Sequence, residues 1–334
     1  MNPARTPSPS LRRRTSAGWL GRKWITPVIG LAIVLTFFGI KSDRYSFVRS
    51  VNMQFVAAQS VQVGVCAIGM TFIMVGGGID LSVGSVMALA CVVFALVLKA
   101  GHPVAAASAA AVAVGAVCGL GNALLVTGLR IIPFIATLGM LSIARGLARY
   151  LAGNQIVRLE AQPDALADFV RPIGESTFLG LAPSVWVMLL AAVMAGIAMN
   201  LTAFGRRTFA LGSNEVAARL SGVRASRQKL YLYTLGGALT GLAGVFLFAN
   251  TSEGDPTAAV GIELQVIAAV VIGGGSLLGG EGSVLGTIVG AFMLTSLVNG
   301  CTLVGWPNYV QEIIIGVIII IVVALDYFRR RAPG

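Results

Sequence analysis

Charged residues are scarce in this chain of 334 residues. Asp, Glu, Lys and Arg make up 11% of the sequence, whereas hydrophobic residues make up 56%. A soluble domain carries about 25% charged residues, so this chain lacks the polar side chains that would cover a water-facing surface of its size. The shortage excludes a soluble globular protein and places the apolar surface in lipid.

Histidine and clustered cysteine are also scarce. His102 is the only histidine, and the cysteines Cys66, Cys91, Cys118 and Cys301 lie in apolar segments at unrelated spacings. A zinc site needs several Cys or His ligands close together, and an intramembrane enzyme needs a paired nucleophile and base or a metal cluster. We therefore predict no metal site and no catalytic residue, and we interpret the cysteines as small packing residues.

Long apolar segments recur along the whole chain. About 20 apolar residues in a helix cross a ~30 Å hydrocarbon core, and the pattern predicts an all-α polytopic membrane protein with about ten transmembrane helices in one domain, residues 24–328. Residues 1–23 are expected to be a disordered cytoplasmic tail, and residues 329–334 a second cytoplasmic tail. We place the helices at Trp24–Ile40, Gln54–Val75, Leu81–Leu98, Val104–Thr127, Pro133–Leu151, Pro183–Ala203, Leu230–Thr251, Leu264–Leu278, Ser283–Val304 and Tyr309–Phe328.

The basic residues lie mainly on one side of these predicted helices. With both termini inside, 16 of the 24 Lys and Arg residues fall in cytoplasmic loops and tails, and six fall on the opposite face. Membrane proteins keep an excess of Lys and Arg in cytoplasmic loops. We therefore predict cytoplasmic N and C termini, and attribute the net charge of +11 to orientation rather than to nucleic-acid binding. The acidic residues Glu253, Asp255 and Glu263 fall on the opposite face.

Two glycine-rich segments, residues 76–85 and 273–283, interrupt the apolar pattern. Each places three glycines ahead of an acidic residue and a Gly-Ser-Val sequence, which hints at an internal repeat. Such breaks often border a transport path, although a tight cytoplasmic turn in which Asp80 and Glu281 cap the next helix remains an alternative. Neither segment contains the lysine of a GxxxxGK[ST] phosphate loop. The candidate gate or re-entrant residues are Gly77, Gly78, Asp80, Ser82, Gly84, Gly273 and Gly274.

The polar segment 205–229 connects two predicted helices and is strongly basic. Ser213 or Asn214 can cap a short helix from Glu215 to Leu220, and Gly222 would end it. This predicts a small amphipathic helix on the cytoplasmic face. A solvated basic loop that only sets the orientation is the alternative.

Four motifs resemble those of the ribose-type ABC sugar permeases. They are residues 205–223, residues 77–84 (GGIDLSVG), residues 133–139 (PFIATLG) and residues 268–274 (AAVVIGG), and the likeness extends from about Trp24 to Asp326. The resemblance implies the membrane subunit of an ATP-driven sugar importer in the bacterial inner membrane, with a type II ABC importer-like fold.

The same resemblance implies partners and a coupling role. The partners are a second permease copy, two cytoplasmic ATPases that hold ATP and magnesium, and a periplasmic sugar-binding protein, with membrane lipid around them; this chain itself would bind no cofactor. The residues implied to couple to the ATPase are Gly205, Arg206, Leu211, Gly212, Asn214, Glu215, Ala218, Arg219 and Gly222.

Polar residues inside the predicted helices are candidates for lining a sugar path. They include Gln59, Asn122, Asn250 and Asn299, although buried amides often only bridge helices. Arg145 and Arg149 lie one turn apart in the fifth helix, and each must face protein or water or extend to the surface. The glycine pairs Gly237/Gly241 and Gly286/Gly290 predict close helix packing.

Two other transport functions stay open. One is an ion-coupled transporter that works alone, but it needs membrane carboxylates, and only Glu312 and Asp80 come near to being such groups. The other is a permease for branched-chain amino acids. The sequence does not identify the sugar.

Overall fold

The computed structural model describes residues 17–159 and 178–331. This part of the chain is mostly helical, with one pair of two-residue strands. Residues 1–16 of the predicted N-terminal tail and residues 332–334 of the C-terminal tail lie outside the described residues. The helices are α1 (Ala17–Lys41), α2 (Ser50–Val75), α3 (Val83–Lys99), α4 (Val104–Thr127), α5 (Pro133–Leu151), α6 (Pro183–Leu201), α7 (Ala203–Ser213), α8 (Glu215–Leu220), α9 (Ala225–Thr251), α10 (Ile262–Ile272), α11 (Val284–Leu303) and α12 (Asn308–Arg331), with a 3₁₀ helix at Asp43–Val48.

Six of these helices, α2, α4, α5, α6, α9 and α11, are long and apolar enough to cross a membrane. Four shorter apolar helices lie at Pro27–Lys41, Val83–Lys99, Ile262–Ile272 and Asn308–Ile321. All ten predicted positions therefore contain a helix, and α4 has the predicted bounds. The polytopic helical class is confirmed for the described residues.

Helix bounds differ most from the prediction at α1, α9 and α10. Helix α1 begins at Ala17, within the predicted tail and seven residues before Trp24. Helix α9 begins at Ala225, five residues earlier than predicted. Its first turns contain exposed basic residues, so they do not belong to the apolar segment from which the helix was predicted. Helix α10 ends at Ile272, whereas we predicted Leu278. The apolar composition continues past Gly273, but the glycine backbone ends the helix there.

Helix α2 lies at the centre of the molecule. It packs against α6, α9, α10 and α11, and the side chains from Val56 to Val75 are almost all buried. Helix α9 packs against α2, α3 and α4. Phe94 of α3 and Phe248 of α9 meet with ring centroids 5.1 Å apart. Burial of aromatic and aliphatic side chains between these helices forms the core.

Close backbone contacts between helices depend on the predicted glycine pairs. A Cβ on Gly237 or Gly241 of α9 would collide with the backbone of α4, and one on Gly286 or Gly290 would collide with that of α10. Helices approach this closely only where side chains are absent. The prediction that these pairs serve helix packing is confirmed.

Strands β1 (Val157–Arg158) and β2 (Glu253–Gly254) pair antiparallel. They follow α5 and α9, so the C-terminal ends of these two helices lie on one face of the molecule, here called the outer face. The opposite face, here called the inner face, carries α7, α8 and the glycine-rich loops 76–82 and 273–283.

Candidate coupling and translocation site

The short helix α8 has the bounds that the sequence predicted, Glu215–Leu220. Asn214 caps it, because its side-chain oxygen accepts a hydrogen bond of 3.0 Å from the backbone N–H of Ala217. At the other end, Gly222 has a φ of +84° and its N–H bonds to the carbonyl of Arg219. The cap and the stop predicted for this helix are confirmed.

Glu215 is held by two cations. Arg219 donates to one carboxylate oxygen at 2.6 Å, and Lys229 donates to the other at 2.8 Å. Partial burial raises the pKa of Glu215, but the hydrogen bonds and charges of Lys229 and Arg219 outweigh it and hold the pKa below its usual value. Glu215 is therefore ionised at neutral pH and fixed in position.

Apolar side chains project from the same short helix. Val216 is 69% exposed and Leu220 is 86% exposed, whereas Ala218 is buried on the opposite side. Exposed aliphatic residues beside an ordered ion pair are typical of a surface that contacts another protein. Arg206 of α7 is exposed on the same inner face.

Helix α7 is fixed to its neighbours by buried contacts. The Gln228 side chain of α9 donates to the carbonyl of Phe204 at 3.1 Å and to the Thr208 hydroxyl at 2.7 Å. Leu211 is buried in a cluster with Val75, and a Cβ on Gly205 would collide with the carbonyl of Met199. The Gln228 contacts were not predicted, because the residues lie 20 or more positions apart.

The end of α7 contacts both glycine-rich loops. A Cβ on Gly212 would collide with the carbonyl oxygen of Val75 and lie 2.5 Å from the backbone nitrogen of Gly280. The Gly280 N–H itself donates to the Val75 carbonyl at 2.9 Å. The two candidate gate loops and the candidate coupling segment, predicted as separate features, thus meet around Gly212.

The two loops begin with the same backbone geometry. After α2, the N–H groups of Gly77 and Gly78 bond to the carbonyls of Met74 and Ile73, and Gly77 has a φ of +81°. After α10, Gly274 and Gly275 bond to Val271 and Val270, and Gly274 has a φ of +89°. Both are Schellman ends, which favour glycine at the left-handed position.

Asp80 forms a buried polar cluster in the first loop. One oxygen accepts from the backbone N–H of Ser82 at 2.8 Å and from its hydroxyl at 2.5 Å. The Asn122 amide of α4 donates to the Ser82 hydroxyl at 3.0 Å and lies 3.4 Å from the second Asp80 oxygen. Asn122, predicted as a path residue, is thus fully buried and bound to the loop.

The other candidate path residues lie apart from one another. Gln59 is exposed on the outer half of α2, and Asn250 is exposed at the end of α9. Asn299 accepts a hydrogen bond of 2.9 Å from Asn52, so it bridges α11 and α2. Gly273 packs against Gly286, and Gly78 lies beside the Tyr233 hydroxyl. Among the described residues, no hydrogen bond joins Gln59, Asn250 and Asn299 to one another.

The comparison with known proteins identifies the class of this polytopic membrane protein. Residues 52–323 match the family described as the permease component of branched-chain amino acid transport systems. The match covers most of the chain, which therefore belongs to this permease family. No solved structure matches the chain.

The chain is similar to permeases named for sugar import. It is 38% identical over 301 residues to the ribose import permease protein RbsC of Bacillus subtilis, covering 90% of this chain and 91% of that protein. It is 36% identical to RbsC of Escherichia coli, covering 91% and 95%. It is 32% identical to the L-arabinose ABC transporter permease protein AraH of Azospirillum brasilense, covering 90% and 87%.

Proposed function

We propose that this chain is the membrane subunit of an ABC importer that moves a monosaccharide across the bacterial inner membrane. The sugar belongs to the ribose, xylose, arabinose and galactose-like group. The observation that carries the proposal is similarity over nine-tenths of the chain to permeases named for ribose import. Ten helices, six long and four short, then form the type II importer-like arrangement.

The coupling segment is the site at which a partner ATPase acts. The exposed Val216 and Leu220 offer apolar contacts, and Glu215 offers a fixed carboxylate. Because Gly212 contacts both glycine-rich loops, a displacement of α8 reaches the ends of α2 and α10 through packed backbone. ATP and magnesium bind to that ATPase, not to this chain.

The remaining partners follow from the same function. A second copy of the permease or a close paralogue completes the pathway, and a periplasmic sugar-binding protein delivers the substrate to the outer face. The basic residues of segment 205–229 support a cytoplasmic position of α7 and α8, since cytoplasmic loops carry the excess of Lys and Arg. The outer face is then periplasmic and both termini are cytoplasmic.

Two alternatives have a specific observation in their favour. The matching family is described by branched-chain amino acid transport, which supports an amino-acid substrate. A buried carboxylate, Asp80, is the feature that an ion-coupled transporter would need, but its oxygens are occupied by Ser82 and Asn122.

Uptake assays separate these functions. The full importer, with its ATPase and binding protein, is expressed in cells that lack their own pentose permeases, and uptake of labelled ribose, xylose, arabinose, galactose and leucine is measured. ATP-dependent uptake of one sugar is expected. Uptake of leucine alone would contradict the sugar assignment. Uptake that survives ATP depletion and collapses with an uncoupler would contradict the ABC mechanism.

Glu215→Lys tests the coupling role. Reversing this charge removes the pairs with Arg219 and Lys229 and places like charges together, so sugar uptake should fall at least about tenfold while the amount of membrane-inserted protein stays unchanged. Co-purification of the ATPase and its activity are measured in parallel. Arg130→Glu is the matched control, because Arg130 is exposed on the inner face between α4 and α5 and lies outside segment 205–229. Normal uptake with normal ATPase binding in Glu215→Lys would refute the role.

A further inference from the structure

The backbone between β2 and α10 descends into the membrane domain without forming a helix. A Cβ on Gly254 would lie 2.6 Å from the Ala95 Cβ and 3.4 Å from the Val92 Cα, near the outer end of α3. Five residues later, the carbonyl oxygen of Ala259 lies against Gly84, at the first turn of α3. At about 1.5 Å per helical residue, the segment therefore descends roughly 12–16 Å along α3.

This descent reaches far below the outer face. Gly84 lies fifteen residues from Lys99, the outer end of α3, which corresponds to about 22 Å of helix. Helix α10 begins only at Ile262 and has 11 residues, too few to cross a ~30 Å core. Residues 254–261 and α10 thus make one crossing together, and its outer half is irregular backbone.

Arg145 of α5 holds this segment. One terminal nitrogen of its guanidinium donates to the carbonyl of Pro256 at 2.9 Å and to that of Ala258 at 2.7 Å. Within the segment, Asp255 accepts two hydrogen bonds of 2.7 Å from the backbone N–H and the hydroxyl of Thr257.

The side of the segment that faces away from α3 is open. Thr257 is exposed, Val260 is 78% exposed and Leu264 is 52% exposed in the single chain. Irregular backbone at membrane depth does not face lipid, because its polar groups would lack hydrogen-bond partners; it faces protein or a water-filled cavity. This side therefore looks onto water or onto another protein.

We propose that residues 254–261 line the path of the sugar inside the membrane and that Arg145 is the positioning residue that holds them there. The inference rests on the proposed function, since it assigns the path of the same importer. Water is favoured over a second protein because Thr257 is exposed and brings a hydroxyl group to this side, and because the backbone groups of residues 254–261 need hydrogen-bond partners. A sugar that leaves bulk water needs hydrogen-bonding groups of this kind.

Cysteine accessibility tests the placement of the segment. Thr257→Cys and Val260→Cys are made separately in the full importer in native membranes and treated with MTSET, a charged thiol reagent that does not enter lipid. Val117→Cys is the matched control, because Val117 is 67% exposed on α4 at similar depth and belongs to a regular helix. We expect both segment variants to react at least about tenfold faster than the control.

Two results would overturn the placement. One is that neither variant reacts faster than Val117→Cys, which would mean that the segment is not in water. The other is an unreactive Val260→Cys that instead forms a disulfide between two permease copies, which would assign the segment to the subunit interface.

The role of Arg145 is tested with Arg145→Met, Arg145→Lys and the control Arg149→Met. Arg149 lies one turn away, and its side chain makes no hydrogen bond with any other described residue. Arg145→Met should lower uptake at least about tenfold and change MTSET reactivity at Val260→Cys several-fold, and Arg145→Lys should restore most of both, because an ammonium also donates to carbonyls. Equal behaviour of Arg145→Met and Arg149→Met, or lost uptake with unchanged reactivity, would contradict the role.

The two readouts separate this inference from the proposed function. Thiol labelling needs no sugar. If the wild-type importer takes up no sugar while Val260→Cys still reacts, the proposed function fails and the water-lined segment stands. If sugar uptake is normal and Val260→Cys is inert, the inference alone fails.

Discussion

Two of the segments that run towards the inner face end alike and begin differently; we call α2 the first route and residues 254–261 with α10 the second route. Helix α2 descends as 26 continuous helical residues and ends at Gly76, whereas the second route descends through residues 254–261 and the 11 residues of α10 before it ends at Gly273. Both endings are Schellman motifs with glycine in the left-handed conformation. The common ending serves the contact with α7. The irregular beginning of the second route is held by Arg145, whereas the first route begins as a regular helix.

Substituting Gly212 should have the largest effect, because this residue contacts both routes. In Gly212→Val, the new side chain would collide with the Val75 carbonyl and the Gly280 nitrogen, and overpacking of this kind costs about 1–3 kcal/mol or more. Sugar uptake should fall below about 1% of wild type, with less protein in the membrane. Gly196→Val in α6, where the glycine faces open space, controls for the change in helix propensity. Wild-type uptake in Gly212→Val would show that the loops do not need this contact.

Substituting Gly84 should displace the second route. A valine there would collide with the Ala259 carbonyl and force residues 254–261 away from α3. We expect uptake to fall at least about tenfold while the ATPase still co-purifies, because α7 and α8 are not touched. Gly146→Val in α5 has open space around it and is the control. Normal transport by Gly84→Val would show that the position of the segment is not needed.

Substituting Asp80 should affect the first route, and it should lower sugar uptake less than the substitutions of Gly212 and Gly84 do. Asp80→Asn keeps the size of the side chain but leaves one accepting oxygen instead of two, so the contacts with Ser82 and Asn122 cannot both be kept. A buried polar group left without its partner costs about 1–3 kcal/mol, so the melting temperature of the detergent-purified permease should drop by several degrees, and uptake should fall only a few-fold. Ser82→Ala should cause part of the same drop. An unchanged melting temperature would contradict the structural role of the cluster.

The regular helices could be predicted from the sequence because apolar length alone determines where a span fits. Helix α4 matched residue for residue, and the short helix α8 matched because its cap Asn214 and its stop Gly222 are local signals. The predicted end of α10 was wrong. The apolar composition continues beyond Gly273, but the helix ends there because of the backbone conformation of the glycines.

The irregular crossing could not be predicted in this way. Residues 254–261 have the composition of an external loop, and their position depends on Arg145, which lies 111 residues from Pro256 in sequence. Asn122 was likewise predicted as a path residue because it is a polar residue within an apolar helix. Its amide instead contacts Ser82, which lies 40 residues away in the first glycine-rich loop. Contacts between residues so far apart in sequence produce no periodicity or motif that a single sequence could reveal.

The amide of Gln228 gives segment 205–229 its mechanical character. By holding Phe204 and Thr208 to the start of α9, it joins α7 to α9. The ion pair between Lys229 and Glu215 joins α8 to the same helix. The three helices are thus cross-linked by side chains as well as by the chain itself. A displacement of α8 is therefore carried through α9 to α7 and to its contact at Gly212.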